Sequence, residues 1–217
     1  MAAQLIMLWR AGALAVLLAA NAAAHAQAGD ALANGVFLVA KPGMVDPNFR
    51  ETVVLITEIE AGSGPIGVII NRPFKTRLSE LIPGLHVPPQ FDRVFGGGPV
   101  GLTQLIFLVR NSEQPPHSLP VLTDVYLSGD RILLESIMKG TLRVAAFRAY
   151  VGYAGWTPGQ LQVEIAVGGW YVVQADAATI FSADPDKIWP ELIRRAATQY
   201  TAVPMDEPRQ TAALTIK

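Results

Sequence analysis

The stretch TVVLITEIEAGSGPIGVIIN, residues 52–71, decides the fold class. Val53, Val54, Leu55 and Ile56 follow one another with no polar break, so both faces of this segment need cover. A short run of this kind, rich in β-branched side chains, reads as a centrally buried strand over residues 52–58. Gly62-Ser63-Gly64-Pro65 turns the chain. The next apolar run, 66–71, is a second buried strand, ended by Asn71-Arg72-Pro73 because proline cannot donate to a ladder. Successive strands with no helix between them oppose a β-α-β alternation.

The rest of the chain extends this pattern. Residues 35–40 predict a strand, and 41–48, with Pro42, Gly43, Asp46 and Pro47, a loop. One helical turn is expected over 78–82, and strands over 104–110, 121–127, 142–151 and 170–174, with a proline-rich loop at 111–120. Asp130 is placed to cap a helix that presents Leu133, Leu134, Ile137 and Met138 on one face and stops at Gly140. Thr157-Pro158-Gly159-Gln160 has the form of a capping box with proline at the first helical position. It predicts a helix over 158–167 that presents Leu161 and Ile165 and ends at Gly168-Gly169. Asp184-Pro185 opens a helical segment toward Thr198, which Pro190 should break or kink. Strands outnumber helices, which makes the chain α+β.

The ends differ from this body. Residues 1–26 hold one charged side chain, Arg10, ahead of an unbroken apolar run from Ala11 to Ala20. Ala24-His25-Ala26 follows, a small-x-small site that signal peptidase accepts. The run is shorter than the roughly 20 residues a membrane span needs. We expect a signal peptide cleaved after Ala26, a spacer at 27–34, a domain at 35–200 and a flexible tail at 201–217. The expected location is periplasmic or secreted, with no stable membrane anchor after cleavage; the alternative is cytoplasmic. A hydrophobic fraction of 51% with 16% charged residues supports a substantial core. The absence of cysteine excludes disulfides, thiolate catalysis and sulfur-ligated zinc. A formal net charge of −1 supplies no electrostatic footprint for nucleic acid.

Chemistry-bearing motifs are sparse. Residues 62–67 match G-x-G-x-x-G, but those glycines open a strand, and a pyrophosphate site needs a helix start. Gly96-Gly97-Gly98-Pro99 reads as a tight bend where two backbones approach. His86 and His117 sit in loops with no serine elbow or further ligands beside them. Asp46, Glu58, Glu60 and Glu164 are the carboxylates nearest to turns and helix starts, and a general acid–base pair among them stays open. Arg131, Lys139, Arg143 and Arg148, interspersed with Asp130 and Glu135, read as a solvated face.

The densest motif is GYAGWTPGQL, residues 152–161. With Pro42-Gly43-Met44, Asp46-Pro47, Phe49, Asn71-Arg72-Pro73, Gly97-Gly98-Pro99-Val100, Trp170, Phe181 and Trp189, it makes the chain resemble the YqgE/AlgH family of bacterial proteins. The resemblance implies a single α+β domain of coiled, bifurcated, mainly antiparallel sheets with flanking helices. It supplies no mechanism, and with the G-x-G-x-x-G reading rejected no cofactor is expected; one branch of the family is labelled a transcriptional regulator. The chain departs from the family pattern at Ile59-Glu60 and Val109-Arg110, where members carry histidines, and at Gln162, where they carry an acid.

Trp156 has two readings: it wedges the turn against the core, with Tyr153 alongside, or the two rings flank a shallow pocket. In the second, Asn71, Arg72, Gly97 and Gly98 are polar partners, and Gln160 and Glu164 complete the binding set. The expected function is a non-enzymatic exported binding or accessory domain for an unknown protein or small ligand. The alternatives are a transcriptional regulator and a carboxylate-dependent hydrolase.

Overall fold

The apolar run at Val53 becomes a strand covered on both faces, and the sheet grows around it. A computed structural model describes residues 34–60 and 64–201; the expected signal peptide, most of the spacer and the tail from residue 202 lie outside the described residues. The strands are β1 (Val36–Ala40), β2 (Val53–Glu60), β3 (Gly64–Ile69), β4 (Pro73–Arg77), β5 (Arg93–Gly96), β6 (Val100–Arg110), β7 (Leu119–Leu122), β8 (Val125–Ser128), β9 (Ala146–Gly155) and β10 (Trp170–Gln174). The helices are α1 (Leu78–Leu81), α2 (Arg131–Met138), α3 (Gln160–Ala166), α4 (Ala177–Ile180) and α5 (Pro185–Thr201).

The strands form one curled sheet in the order β10-β1-β2-β3-β9-β6-β8-β7, with β4 paired to β5 and β5 to β9. Pairing is antiparallel throughout except between β5 and β9. Alternation divides the core. Phe37, Val39, Val53 and Leu55 enter one cluster with Ile188, Leu192 and Ala196 of α5. Leu38, Val54 and Ile56 enter another with Leu161 of α3, Trp156 and Trp170. The apolar face read on α2 meets Phe107, Val109, Phe147 and Ala149 in a third.

The sheet forks at β9. One edge of β9 pairs with β6; the other pairs with β5 near its start (Phe95 opposite Tyr150) and with β3 at its end (Gly67 opposite Ala154). Gly97 closes the fork: its carbonyl accepts from Ile69 N–H at 2.8 Å and its N–H donates to Val151 O at 2.8 Å. A Cβ on Gly97 would stand 2.2 Å from Gly152 O, and one on Gly98 2.2 Å from the Tyr153 carbonyl carbon. The glycine run is therefore the close backbone approach read from the sequence.

Several boundaries differ from expectation. The run 121–127 is not one strand, because the chain reverses at Thr123-Asp124 and pairs Leu122 with Val125. Pro120 is accommodated because β7 is the last strand of the sheet. The strand expected at 142–151 begins later and runs on through Gly152, which lets β9 pass close under Gly98 O and Val100 O. The 104–110 strand begins earlier, at Val100, and β4 follows Arg72 where no strand was expected.

Helix α3 starts at Gln160, after Gly159 with φ +80°, and Thr157 makes no side-chain cap. Half of the capping box forms: Gln160 Oε1 accepts from the Thr157 N–H and hydroxyl at 3.1 and 3.2 Å. The α5 segment runs through Pro190 as helix. The lost N–H bond would go to Asp186 on the exposed surface, while buried Ile188, Leu192 and Ala196 hold both sides of the proline to the core.

Candidate functional site

The loop from Lys41 to Glu51 is where most of the expected site residues meet. Asp46 starts its turn: its carbonyl accepts from Phe49 and Arg50 N–H, and its Oδ1 accepts from Asn48 N–H at 2.8 Å. Asn71 and Arg72, just past β3, strap this turn from one side. Asn71 Oδ1 accepts from Val53 N–H at 2.8 Å and Nδ2 donates to Glu51 O at 2.9 Å. The Arg72 guanidinium donates to the carbonyls of Asn48 (2.6 Å), Arg50 (3.2 Å) and Pro47 (3.3 Å). Partial burial lowers the Arg72 pKa, and nearby Asp46 offsets part of that shift.

From the other side the turn presents Phe49 to two indoles. Phe49 stacks on Trp156 at 5.9 Å and meets Trp170 edge-on at 5.5 Å. Both indoles are buried, and both spend their N–H on one acceptor. Glu164 Oε2 accepts from Trp156 Nε1 at 3.0 Å and from Trp170 Nε1 at 2.9 Å, while Oε1 accepts from Gln160 Nε2 at 3.0 Å. Glu164 thus ties α3 to the end of β9 and the start of β10, and its carboxylate is occupied by three donors. On the loop's far flank Trp189 Nε1 donates to Ala40 O at 2.7 Å.

Under the loop lies a cavity of about 430 Å³, walled by Met44, Asp46, Phe49, Glu164 and Trp170, with Lys41 and Gly168-Gly169 also lining it. Lys41 Nζ sits 4.5 Å above the Tyr171 ring. A second hollow of about 330 Å³ opens on the other side of residues 41–45, against Arg50, Glu51 and Trp189. The chemistry on offer is an aromatic and thioether floor beside one ammonium group and two carboxylates, Glu164 taken up by three donors and Asp46 by the Asn48 N–H.

The structure therefore links Asn71, Arg72, Trp156, Gln160 and Glu164 through one loop. Gly97, Gly98 and Tyr153 belong to the fork in the sheet instead. Tyr153 projects to the face of β9 opposite Ala154 and Trp156, which share one core cluster. Its ring covers Gly101 and Gly155. The sequence reading did not assign Lys41, Met44, Phe49 or Trp170 to a site, although Met44, Phe49 and Trp170 lay in the quoted motifs. It also placed Arg148 on a solvated face, where the structure buries it to 7% exposure. Among the described residues, no group of three or more His, Cys, Asp or Glu could hold a metal, and no helix is long and apolar enough to cross a membrane. His86 and His117 are exposed loop residues.

Comparison with known proteins adds relatives of the same extent. The AlgH-like family profile matches residues 37–201. UPF0301 proteins are similar over nearly their whole length: that of Chlorobium luteolum is 32% identical, covering 79% of this chain and 90% of the relative. That of Thermobifida fusca is 36% identical, covering 74% and 85%. The solution structure of AlgH from Pseudomonas aeruginosa superposes with a TM-score of 0.62 at 29% identity, covering 79% of this chain and 94% of that one. A crystal structure of a Corynebacterium diphtheriae protein, at 23% identity, shares the fold with a TM-score of 0.64, covering 75% and 86%. With the forked sheet and the GYAGW stretch in place, the chain belongs to the AlgH-like family.

Proposed function

We propose that this chain is a non-enzymatic binding domain, exported with residues 1–26 removed, that takes a small ligand or a partner's side chain in the cavity under residues 41–46. The observation that carries the reading is the engagement of Glu164. A carboxylate accepting from two buried indoles and an amide fastens the wall of the cavity and is not a free base. What remains exposed to a ligand is an apolar floor with Lys41 at its side, the usual composition of a recognition pocket. The short charged start, apolar run and Ala24-His25-Ala26 site support export.

Cell fractionation with amino-terminal sequencing tests the location: a chain beginning at Gln27 in the periplasmic fraction is expected, and an intact amino terminus in the cytosol refutes export. Capture of partners from periplasmic extract, compared between the wild type and Met44→Glu, tests the cavity. Retention of the same partners by Met44→Glu refutes it. Turnover abolished by both Asp46→Asn and Glu164→Gln in a substrate screen would establish the hydrolase reading in its place. DNA binding that weakens steeply with salt would establish the regulator.

A further inference from the structure

Among the described residues, Arg148 is the one charged side chain that is buried. It projects from β9, and its guanidinium lies 4.2 Å from the centre of the Phe95 ring. Nη1 donates to Ile70 O at 3.2 Å and Nη2 to Ser182 O at 2.6 Å. Both acceptors are neutral carbonyls, and no described carboxylate forms an ion pair with it. The neighbouring charge is of the same sign. Arg93, at the start of β5, reaches toward the same Phe95 ring at 5.9 Å and donates weakly to Ala183 O at 3.4 Å. Burial lowers the Arg148 pKa, Tyr150 offsets part of that shift, and the like charge of Arg93 adds to it. Beside it stands the fully buried Tyr150 hydroxyl, with no partner in hydrogen-bond geometry.

Both guanidinium groups line one cavity of about 420 Å³, whose other walls include Phe91, Phe147, Phe181 and Ser182. A buried cation held by two carbonyls and an aromatic ring, beside a neutral phenol and with no described carboxylate, is an unfavourable arrangement for the free protein. Arg148 has five N–H donors, and the described bonds use two of them. The cavity therefore combines positive charge that no described carboxylate pairs, unused guanidinium donors and flat apolar walls. We propose that it binds a small organic anion, with a carboxylate or phosphate head between Arg93 and Arg148 and a flat apolar body against the phenylalanines. This site lies apart from the cavity under residues 41–46 and does not depend on the function proposed for it.

Calorimetric titration of the purified protein with benzoate and with inorganic phosphate, against sodium chloride at matched ionic strength, tests the inference. Saturable binding of at least one probe is expected, with the stronger probe identifying the head group. Arg93→Gln, at an exposed position that does not threaten folding, should weaken binding at least about tenfold, as loss of a charge-assisted bond does. Arg148→Met should abolish it. In the wild type the Arg148 Nε–H resonance should shift with the same saturation curve, which a purely structural arginine would not do. No saturable effect beyond chloride overturns the proposal, as does binding undiminished in Arg93→Gln. If Arg148→Met does not fold, Arg93→Gln and the Nε–H shift decide alone.

Discussion

Removing the carboxylate of Glu164 should loosen three elements at once, by an amount that depends on what replaces it. In Glu164→Ala, Trp156 and Trp170, 4% and 2% exposed, lose their only described acceptor. A buried donor left without a partner costs about 1–3 kcal/mol. The adjoining cavity lets water reach the gap, so the lower half of that range applies to each indole. The sum is about 3 kcal/mol, or a fall in Tm of about 6–12 °C for a domain of this size. Glu164→Gln keeps one carbonyl oxygen for the indoles but turns its NH2 toward Gln160 Nε2, so it loses charge assistance and that exposed bond, and about 1 kcal/mol is expected. Urea unfolding followed by tryptophan fluorescence measures both.

A third variant isolates the cause. Glu164→Ala combined with Trp170→Phe removes acceptor and donor together, so the double variant should be less destabilised than the sum of the single ones. Strict additivity, or a Glu164→Ala within about 0.5 kcal/mol of wild type, refutes the clasp.

Other perturbations test the frame around it. Gly98→Ala places a Cβ 2.2 Å from the backbone of Tyr153 and should abolish cooperative folding, whereas Gly140→Ala meets no atom within 4 Å and should cost only about 1 kcal/mol for its φ of +72°; circular dichroism of the two separates crowding from backbone strain. Tyr150→Phe removes a buried hydroxyl without a hydrogen-bond partner and should leave stability unchanged or raise it. Burial holds the Tyr150 phenol well above its ordinary pKa, and Arg148 offsets part of that rise. The unfolded chain therefore ionises first, so wild-type stability should fall as pH rises past about 10. Tyr150→Phe should fall less steeply, and parallel alkaline curves refute the assignment. The Asp92 carboxylate accepts from Ser79 N–H at 2.8 Å and pairs with Arg77, which holds its pKa below the usual aspartate value. Its stabilisation is present at neutral pH and is lost as pH falls below about 4. The gap between wild type and Asp92→Asn should thus close toward pH 2, and a constant gap in chemical denaturation counts against it.

How much of this was readable before the structure follows from the range of each interaction. The double burial of β2 was legible because four consecutive apolar side chains have no other outlet. The cap on α2 was legible because Asp130 Oδ1 bonds Leu133 N–H three residues away. The start of α3 was not, because Gln160 satisfies Thr157 and lets the helix begin after a left-handed Gly159. Arg148 was misplaced for a stronger reason. The carbonyls that hold it come from Ile70 and Ser182, 78 and 34 residues away, and no local pattern announces such partners. The candidate site was half legible: its residues stood out as motifs, but their division between the loop under Arg72 and the fork at Gly97 depends on how β9 pairs.

The pairing of β1 has a consequence for the order of events in folding. Val36 pairs with Gln174, so the first of the described strands is finished by the last. Until β10 emerges, one edge of β1 stands open, and its five residues, VFLVA, include no charge to deter pairing with another chain. Contacts this distant in sequence also slow the closing step of a β-rich chain. Truncations that remove β10 should therefore aggregate, not merely lose stability. The sheet also cannot close before residue 174 has been made, so the domain stays open late into synthesis.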